Sequence, residues 1–317
     1  MNTVSPLPDT SEMSRALWAL DTVARRPEYF QAPEDMRFRI SRLEKLPPLP
    51  EIAVRILALR SDPLCDAAKL ARVIELDPPL AAQLIRWANS PLYARRSRTL
   101  GIKEAITLLG FEVVFSQALA LCAIRPLQAP TEGLLGKRFF WRHTLAGSAL
   151  IQKLVRQTPA ETRPDLGAAH LIFLLHNIGH LLLAHLYRRE FHYLLEVAAA
   201  NPGTPLLPAE RFALGVDHAQ LGAWLMQSWK MPAPIVTTVQ HHHNPHYRGE
   251  HERLVWLTCL TDRLLGQIGI GDATNVPLEG TALHDQLGLI PVMCEASLAQ
   301  VAENLDEVEQ AVAQLIG

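Results

Sequence analysis

Positive charge is absent from the end of this chain. Residues 264–317 contain no Lys or Arg but carry eight acids between Asp272 and Glu309. The chain as a whole is nearly balanced, with 30 Lys and Arg against 32 Asp and Glu, so no global excess draws it onto nucleic acid or anionic lipid. The asymmetry is local, an acidic tail on a mildly basic body. Cysteine is scarce: Cys65, Cys122, Cys259 and Cys294 stand far apart with no C-x-x-C pair, which excludes a zinc ribbon, a redox dithiol and a disulfide scaffold. Neither Cys122 nor Cys259 has an activating base near it in sequence, so a nucleophilic thiol has no support. Glycine and proline, at 17 and 23 of 317 residues, are too few for a collagen-like or low-complexity chain. A phosphate-cradling loop is also missing, because Gly266-Gln-Ile-Gly-Ile-Gly271 has no Lys-Ser/Thr after it and no strand before it. Residues 1–15 have neither a basic start nor an apolar run; no export signal is read there, and a cytoplasmic location is the expectation.

What the chain does have is apolar residues at i, i+3, i+4 and i+7 in nearly every segment, with few alternating Val/Ile/Thr runs. The expected fold class is therefore all-α. Helices are predicted at 11–25, 34–46, 51–60, 66–76, 79–89, 102–109, 111–124, 133–157, 166–187 (as a pair or one broken helix), 188–200, 209–215, 217–230, 232–243, 251–268 and 293–315. Prolines punctuate the first half. Pro47-Pro48-Leu49-Pro50 ends one helix, and Asp77-Pro78-Pro79 starts another with Asp77 as cap. Residues 166–187 hold no Asp, Glu, Lys or Arg and are long enough to cross a bilayer. His170, His176, His180, His185 and Asn177 interrupt the run, so it is read as buried helix in a bundle, with no membrane association expected.

Five polar side chains fall on the apolar faces of five predicted helices. His143 lies among Phe139, Phe140, Ala146 and Leu150; His176 follows Ile172 and Phe173; His218 precedes Leu221 and Leu225; His242 follows Ile235 and Val239; Asp262 sits with Val255, Cys259 and Leu265. Each alone reads as an ordinary hydrogen-bonded core residue. Together they point to one shared polar pocket, since buried polar groups need partners. His176 and His180 also have the spacing of an H-E-x-x-H zinc-protease helix, but Asn177 stands where that chemistry needs Glu.

The order of these residues, His143, then His176-Asn177 within L-L-H-N-I-G, then His218 in D-H-A-Q-L-G, His241-His242-His243 and Asp262, is similar to the metal-dependent HD phosphohydrolase superfamily. Upstream, Leu46-Pro-Pro-Leu-Pro-Glu51, Glu75-Leu-Asp-Pro-Pro79, Arg86-Trp-Ala-Asn-Ser-Pro91 and Ile102–Gly110 resemble its HDOD branch, a group of output domains in bacterial signalling. The resemblance spans roughly 38–265. It implies an HDOD-type bundle in which an N-terminal helical subdomain (34–130) packs on a degenerate HD-like one (131–270), flanked by a leader with a short helix (1–33) and an acidic loop and helix (271–317). It also implies that His143, His176, His218, His242 and Asp262 descend from metal ligands.

In hydrolytic HD enzymes the doublet is His-Asp. Asn177 replaces that carboxylate with a neutral, weak ligand, leaving Asp262 as the one acid among the inherited positions. A donor set so short of negative charge holds two cations poorly, and two-metal hydrolysis needs both. The expectation is a non-catalytic signalling module that requires no cofactor and holds at most one divalent metal ion. The alternative is residual metal-dependent phosphohydrolase activity on nucleotides or cyclic dinucleotides. A protein partner or small anionic ligand is expected. Arg86, Tyr93, Arg95, Arg96, Arg98 and Lys103, with Trp87 interleaved and no acid from 78 to 103, form either a solvated loop or a surface for an anion, a partner's acidic patch or nucleic acid. The acidic 303–309 face is a competing internal occupant for it.

Overall fold

The computed structural model describes residues 46–90, 93, 99–274, 276–278 and 282–316. The helix predicted at 11–25, and nearly all of that at 34–46, lie outside them. Within the described residues all regular structure is helical: α1 Glu51–Leu59, α2 Ala67–Glu75, α3 Pro78–Ala88, α4 Ile102–Leu109, α5 Phe111–Ile124, α6 Lys137–Gln157, α7 Leu166–Leu175, α8 Ile178–Leu186, α9 Arg188–Ala200, α10 Leu206–Leu214, α11 His218–Ser228, α12 Ala233–His241, α13 Glu252–Gln267, α14 Leu283–Leu287, α15 Pro291–Glu303 and α16 Leu305–Ile316, with one 3-10 turn at Ala160–Thr162.

Local chemistry sets the starts. Asp66, Asp77, Asp165 and Asp217 each accept a hydrogen bond from the backbone N–H three residues on, satisfying a donor that the helix itself leaves open. Pro78 and Pro79 occupy the first turn of α3, where the missing N–H costs nothing. Gly110, at φ +91°, ends α4 and lets α5 leave at once in a new direction.

The helix predicted from 133 begins four residues later. Gly133 and Leu135 have positive φ, so 133–136 is a turn. The connection between the helices predicted at 188–200 and 209–215 is shorter than that spacing implies, because α10 starts at Leu206 and tolerates Pro208 in its first turn. The single helix predicted at 293–315 is two, α15 and α16, parted at Asn304. The short α14 was not anticipated.

The core runs continuously from Ala53 to Leu315. At its centre, α6 packs on α7 and α13, α8 on α11, and α12 on α7, α11 and α13; α5 joins α1 to α7, and α16 covers α6 and α3. The stretch long and apolar enough for a membrane, Leu166–Leu186, is this central layer. Every residue from Ala169 to Ala184 is buried, and the chain turns at His176-Asn177 rather than at Gly179. Gly179 serves packing instead: a Cβ there would lie 1.9 Å from the His218 carbonyl oxygen, so α8 and α11 touch backbone to backbone. The Leu46–Pro50 segment is tied to the second half by the Trp229 indole N–H, which donates to the Pro47 carbonyl at 2.7 Å.

Two measurements check this core. Gly179→Ala must force α8 off α11; we expect a loss of about 3 kcal/mol, the upper end for overpacking against backbone, seen as a lower urea midpoint. His170 is fully buried with neither ring nitrogen hydrogen-bonded among the described residues, and burial pushes it down from 6.5 to about 4. Between those values the unfolded chain binds a proton that the folded chain refuses. Its contribution is therefore intact above pH 6.5 and lost as pH falls toward 4, by about 3 kcal/mol at full extent. His170→Leu should flatten that acid limb in urea unfolding at pH 7 against pH 4.5.

Candidate metal centre

His143 enters the centre from the middle of α6, His176 and Asn177 from the turn between α7 and α8, His218 from the first turn of α11, His242 from just past α12, and Asp262 from α13. The structure thus brings together all five predicted residues, and all are buried. His143 Nε2 lies 3.1 Å and His176 Nε2 3.2 Å from the same oxygen, Asp262 Oδ1. Burial alone would raise the Asp262 carboxyl, but the charge of His176 and the hydrogen bond from His143 outweigh it and hold the group well below the usual carboxylate range. Burial likewise pulls His176 down, yet the Asp262 carboxylate more than offsets this and keeps it above its ordinary value. Asn177 turns toward His143, amide nitrogen to Nδ1 at 3.1 Å.

Sequence reading counted one acid; three carboxylates reach the chamber. Glu210 of α10 is buried and takes His180 Nε2 on one oxygen at 2.7 Å, and on the other His218 Nδ1 at 2.7 Å and the His218 backbone N–H at 2.9 Å. This fixes the His218 tautomer, with the proton on Nδ1 and the Nε2 lone pair inward. Asp272, from the loop after α13, puts Oδ2 3.4 Å from His218 Nε2 and 3.6 Å from His243 Nε2. His243 completes the ring set, its Nε2 2.9 Å from His218 Nε2. Burial first, then neighbouring imidazoles, push His218, His242 and His243 well below 6.5, so they are neutral at pH 7.

Glu210, His180, His243 and Asp272 were missed for different reasons. Glu210 interrupts the apolar stripe Leu206, Ala209, Ala213, Leu214 of α10, a signal present but hidden by the prolines before it. Asp272 lies in a glycine-punctuated loop, where no periodicity marks direction. His180 was set aside with the protease spacing. His243 is a neighbour of the predicted His242.

The basic stretch is partly outside the described residues, which include Arg86, Tyr93 and Lys103 but not Arg95, Arg96 or Arg98. Trp87 is buried and Tyr93 packs on it, ring centroids 4.6 Å apart, so Trp87 is part of the core and presents no open stacking face. Lys103 is exposed on α4. The Asn89 side chain bridges to Thr99, donating to Thr99 O and accepting from Thr99 N, both at 2.7 Å. The acidic tail docks elsewhere: Glu309 of α16 meets Arg142 at 2.7 Å and Arg138 at 3.6 Å on α6.

A family model described as HDOD domain matches residues 46–245. An uncharacterized protein of Treponema pallidum (strain Nichols) is 25% identical over 215 residues, covering 68% of this chain and 41% of its own length; the chain therefore spans less than half of that relative. A solved structure from Marinobacter aquaeolei VT8, provisionally described as a signal transduction protein, aligns with TM-score 0.77 and 29% identity over 95% of this chain and 66% of that one. An HDOD domain protein of unknown function from Geobacter sulfurreducens aligns with TM-score 0.70 and 20% identity, covering 88% and 96%. A protein from Shewanella amazonensis SB2B, provisionally described as a phosphohydrolase, gives 0.68 and 20%, covering 87% and 97%. These last two share the fold with this chain.

Removing the Glu210 carboxylate strips partners from three buried donors at once. Glu210→Ala should cost about 3 kcal/mol or more, measured by urea unfolding.

Proposed function

The chain belongs to the HDOD domain family, and we propose that its buried chamber is a regulatory centre that carries out no hydrolysis, in a cytoplasmic module that signals by binding. The family is related to metal-dependent phosphohydrolases and includes signal-transduction proteins. The observation that carries the reading is Asn177. Its amide nitrogen faces His143 at 3.1 Å and its Oδ1 is buried without a hydrogen-bond partner among the described residues, so no carboxylate stands where the hydrolytic relatives of the HD superfamily use one to join two ions, and the neutral oxygen left there is a weak ligand. His143 and His176 crowd the remaining inherited acid, and every member of that group is sealed from solvent.

A divalent ion is implied by the wider superfamily. The chamber has the donors for one: Asp262 Oδ2 and Asp272 Oδ1 and Oδ2 are buried without a hydrogen-bond partner among the described residues, His176 Nε2 lies beside Asp262, and imidazole with carboxylate suits a first-row divalent cation. The donors do not fit a bridged pair. A bound ion would supply a Lewis-acidic cross-link between helices. The competing hydrolytic reading draws on Glu210 and Asp272, but Glu210 is consumed by His180 and His218.

For the anionic ligand or acidic partner, the best-placed surface is a groove of about 440 Å³ between α3, α5, α6 and α16, with Arg86, Arg125 and Lys137 on its walls and Trp141 beside them. Arg125 is paired with Asp77 at 2.7 Å, which leaves Arg86 and Lys137 without an ion pair among the described residues. Arg and Lys together suit a phosphate or carboxylate.

The test is a turnover screen of the purified chain, loaded in turn with Mg2+, Mn2+ and Zn2+, against chromogenic phosphodiesters, nucleotides and cyclic dinucleotides. We expect rates equal to background and unchanged by His176→Ala. Turnover that His176→Ala abolishes would reverse the reading.

A further inference from the structure

The groove between α3, α5, α6 and α16 has an apolar floor and a cationic mouth. Asp77 at the start of α3 holds Arg125 at the end of α5 at 2.7 Å, so the two helices run antiparallel along its length. Leu121 and Ile124 of α5, Trp141 of α6 and Leu315 of α16 form the floor, and all four are buried. Ala82 and Arg86 of α3 stand exposed at the mouth, and Lys137, the first residue of α6, is half-buried there. No acid lines the groove among the described residues. The Leu315 carbonyl at the end of α16 is met by Gln83 Nε2 at 3.4 Å, so it does not face an incoming anion bare.

This layering selects a ligand by shape as well as by charge, because apolar walls hold a ligand's body while a few polar groups fix its orientation. A bare phosphate or acetate would meet Arg86 and Lys137 and leave the floor to water. A neutral aliphatic chain would cover the floor and leave both cations unmet. A peptide helix is about 10 Å across, so a single turn of it would fill the 440 Å³ and its other turns would find no seat. One aliphatic chain ending in an anion satisfies floor and mouth together.

We propose that this groove binds a single-chain amphiphile with an anionic head, a carboxylate or a phosphate monoester, its tail on Leu121, Ile124 and Trp141 and its head between Arg86 and Lys137. The inference rests on the reading above that the groove takes an anion, and it narrows that anion to one with an aliphatic body. Leu315 and Ile316 supply one wall, so the site is completed by a helix outside the 46–245 family span. A ligand that touches α16 and the bundle at once stabilises the docked position of that helix, which couples binding to the hold of α16.

The test is titration calorimetry on the full chain with octanoate, octyl phosphate, octanol, acetate and inorganic phosphate, the amphiphiles kept below the concentration at which they aggregate. We expect one octanoate or octyl phosphate per chain, bound about tenfold or more tightly than octanol, acetate or phosphate, and slower amide exchange across 305–316 when it is added. Arg86→Ala and Lys137→Ala should each weaken binding about fivefold, Ala82→Trp should abolish it by filling the groove, and Arg72→Ala, at an exposed position on α2, should leave it unchanged. Full binding by Ala82→Trp would overturn the site. Should that variant prove unfolded by circular dichroism, Arg86→Glu decides: retained binding would sink the proposal. Acetate and phosphate binding as tightly as octanoate, and lost in Arg86→Ala, would overturn the amphiphile and leave the anion reading standing; octanol binding as tightly as octanoate would overturn both.

Discussion

Glu210 accepts from two imidazoles and a backbone amide inside a bundle that buries all of them. Low dielectric strengthens each of these bonds and makes losing one expensive. The consequence spreads through the fold, because the three donors belong to α8 and α11, and Glu210 to α10. Those helices are fixed by polar geometry as well as by apolar packing, which is tolerant of small shifts. With α11 placed, His218 aims its free nitrogen at the chamber, and Gly179 lets α8 approach closely enough for His180 to reach the same carboxylate. A polar network of this kind specifies one arrangement only if every member is satisfied. The unsatisfied atoms of Asp262 and Asp272 are therefore the informative exceptions.

The helical class was legible because periodicity is strong from α1 to α13, and several boundaries, such as 102–109 and 111–124, fall where the residues place them. Boundaries failed where backbone geometry outweighed pattern. Leu135 at positive φ is not foreseeable from its type, and Asn304 breaks a run that reads as one helix. Of the site, the five residues on apolar faces could be found because a histidine or aspartate amid Leu, Ile and Phe is conspicuous. Glu210 obeys the same rule but follows a proline-rich link that masks the start of its helix. Asp272 obeys no rule of periodicity; only the three-dimensional closure of its loop brings it to His218. Chemistry placed on regular elements can be read from spacing, whereas chemistry delivered by loops cannot.

The exchange of carboxylate for amide at 177 is small in volume and large in charge. In a chamber crowded with neutral imidazoles, one carboxylate fewer changes which cation, and how many, can be held. Asp272 returns a negative charge from a segment outside the 46–245 span that matches the family. The electrostatics of this centre therefore depend on chain beyond the family's boundary.

The Trp229–Pro47 hydrogen bond joins residues 182 positions apart, and Gln83 reaches the Leu315 carbonyl across 232. On a ribosome, the Leu46–Pro50 segment waits for its anchor until α11 has emerged, and α3 waits longer still for α16. During that interval the nascent first half shows apolar surface that later helices will cover. Biosynthesis of this bundle is thus a long-range closure, in which early segments are completed only by helices made much later.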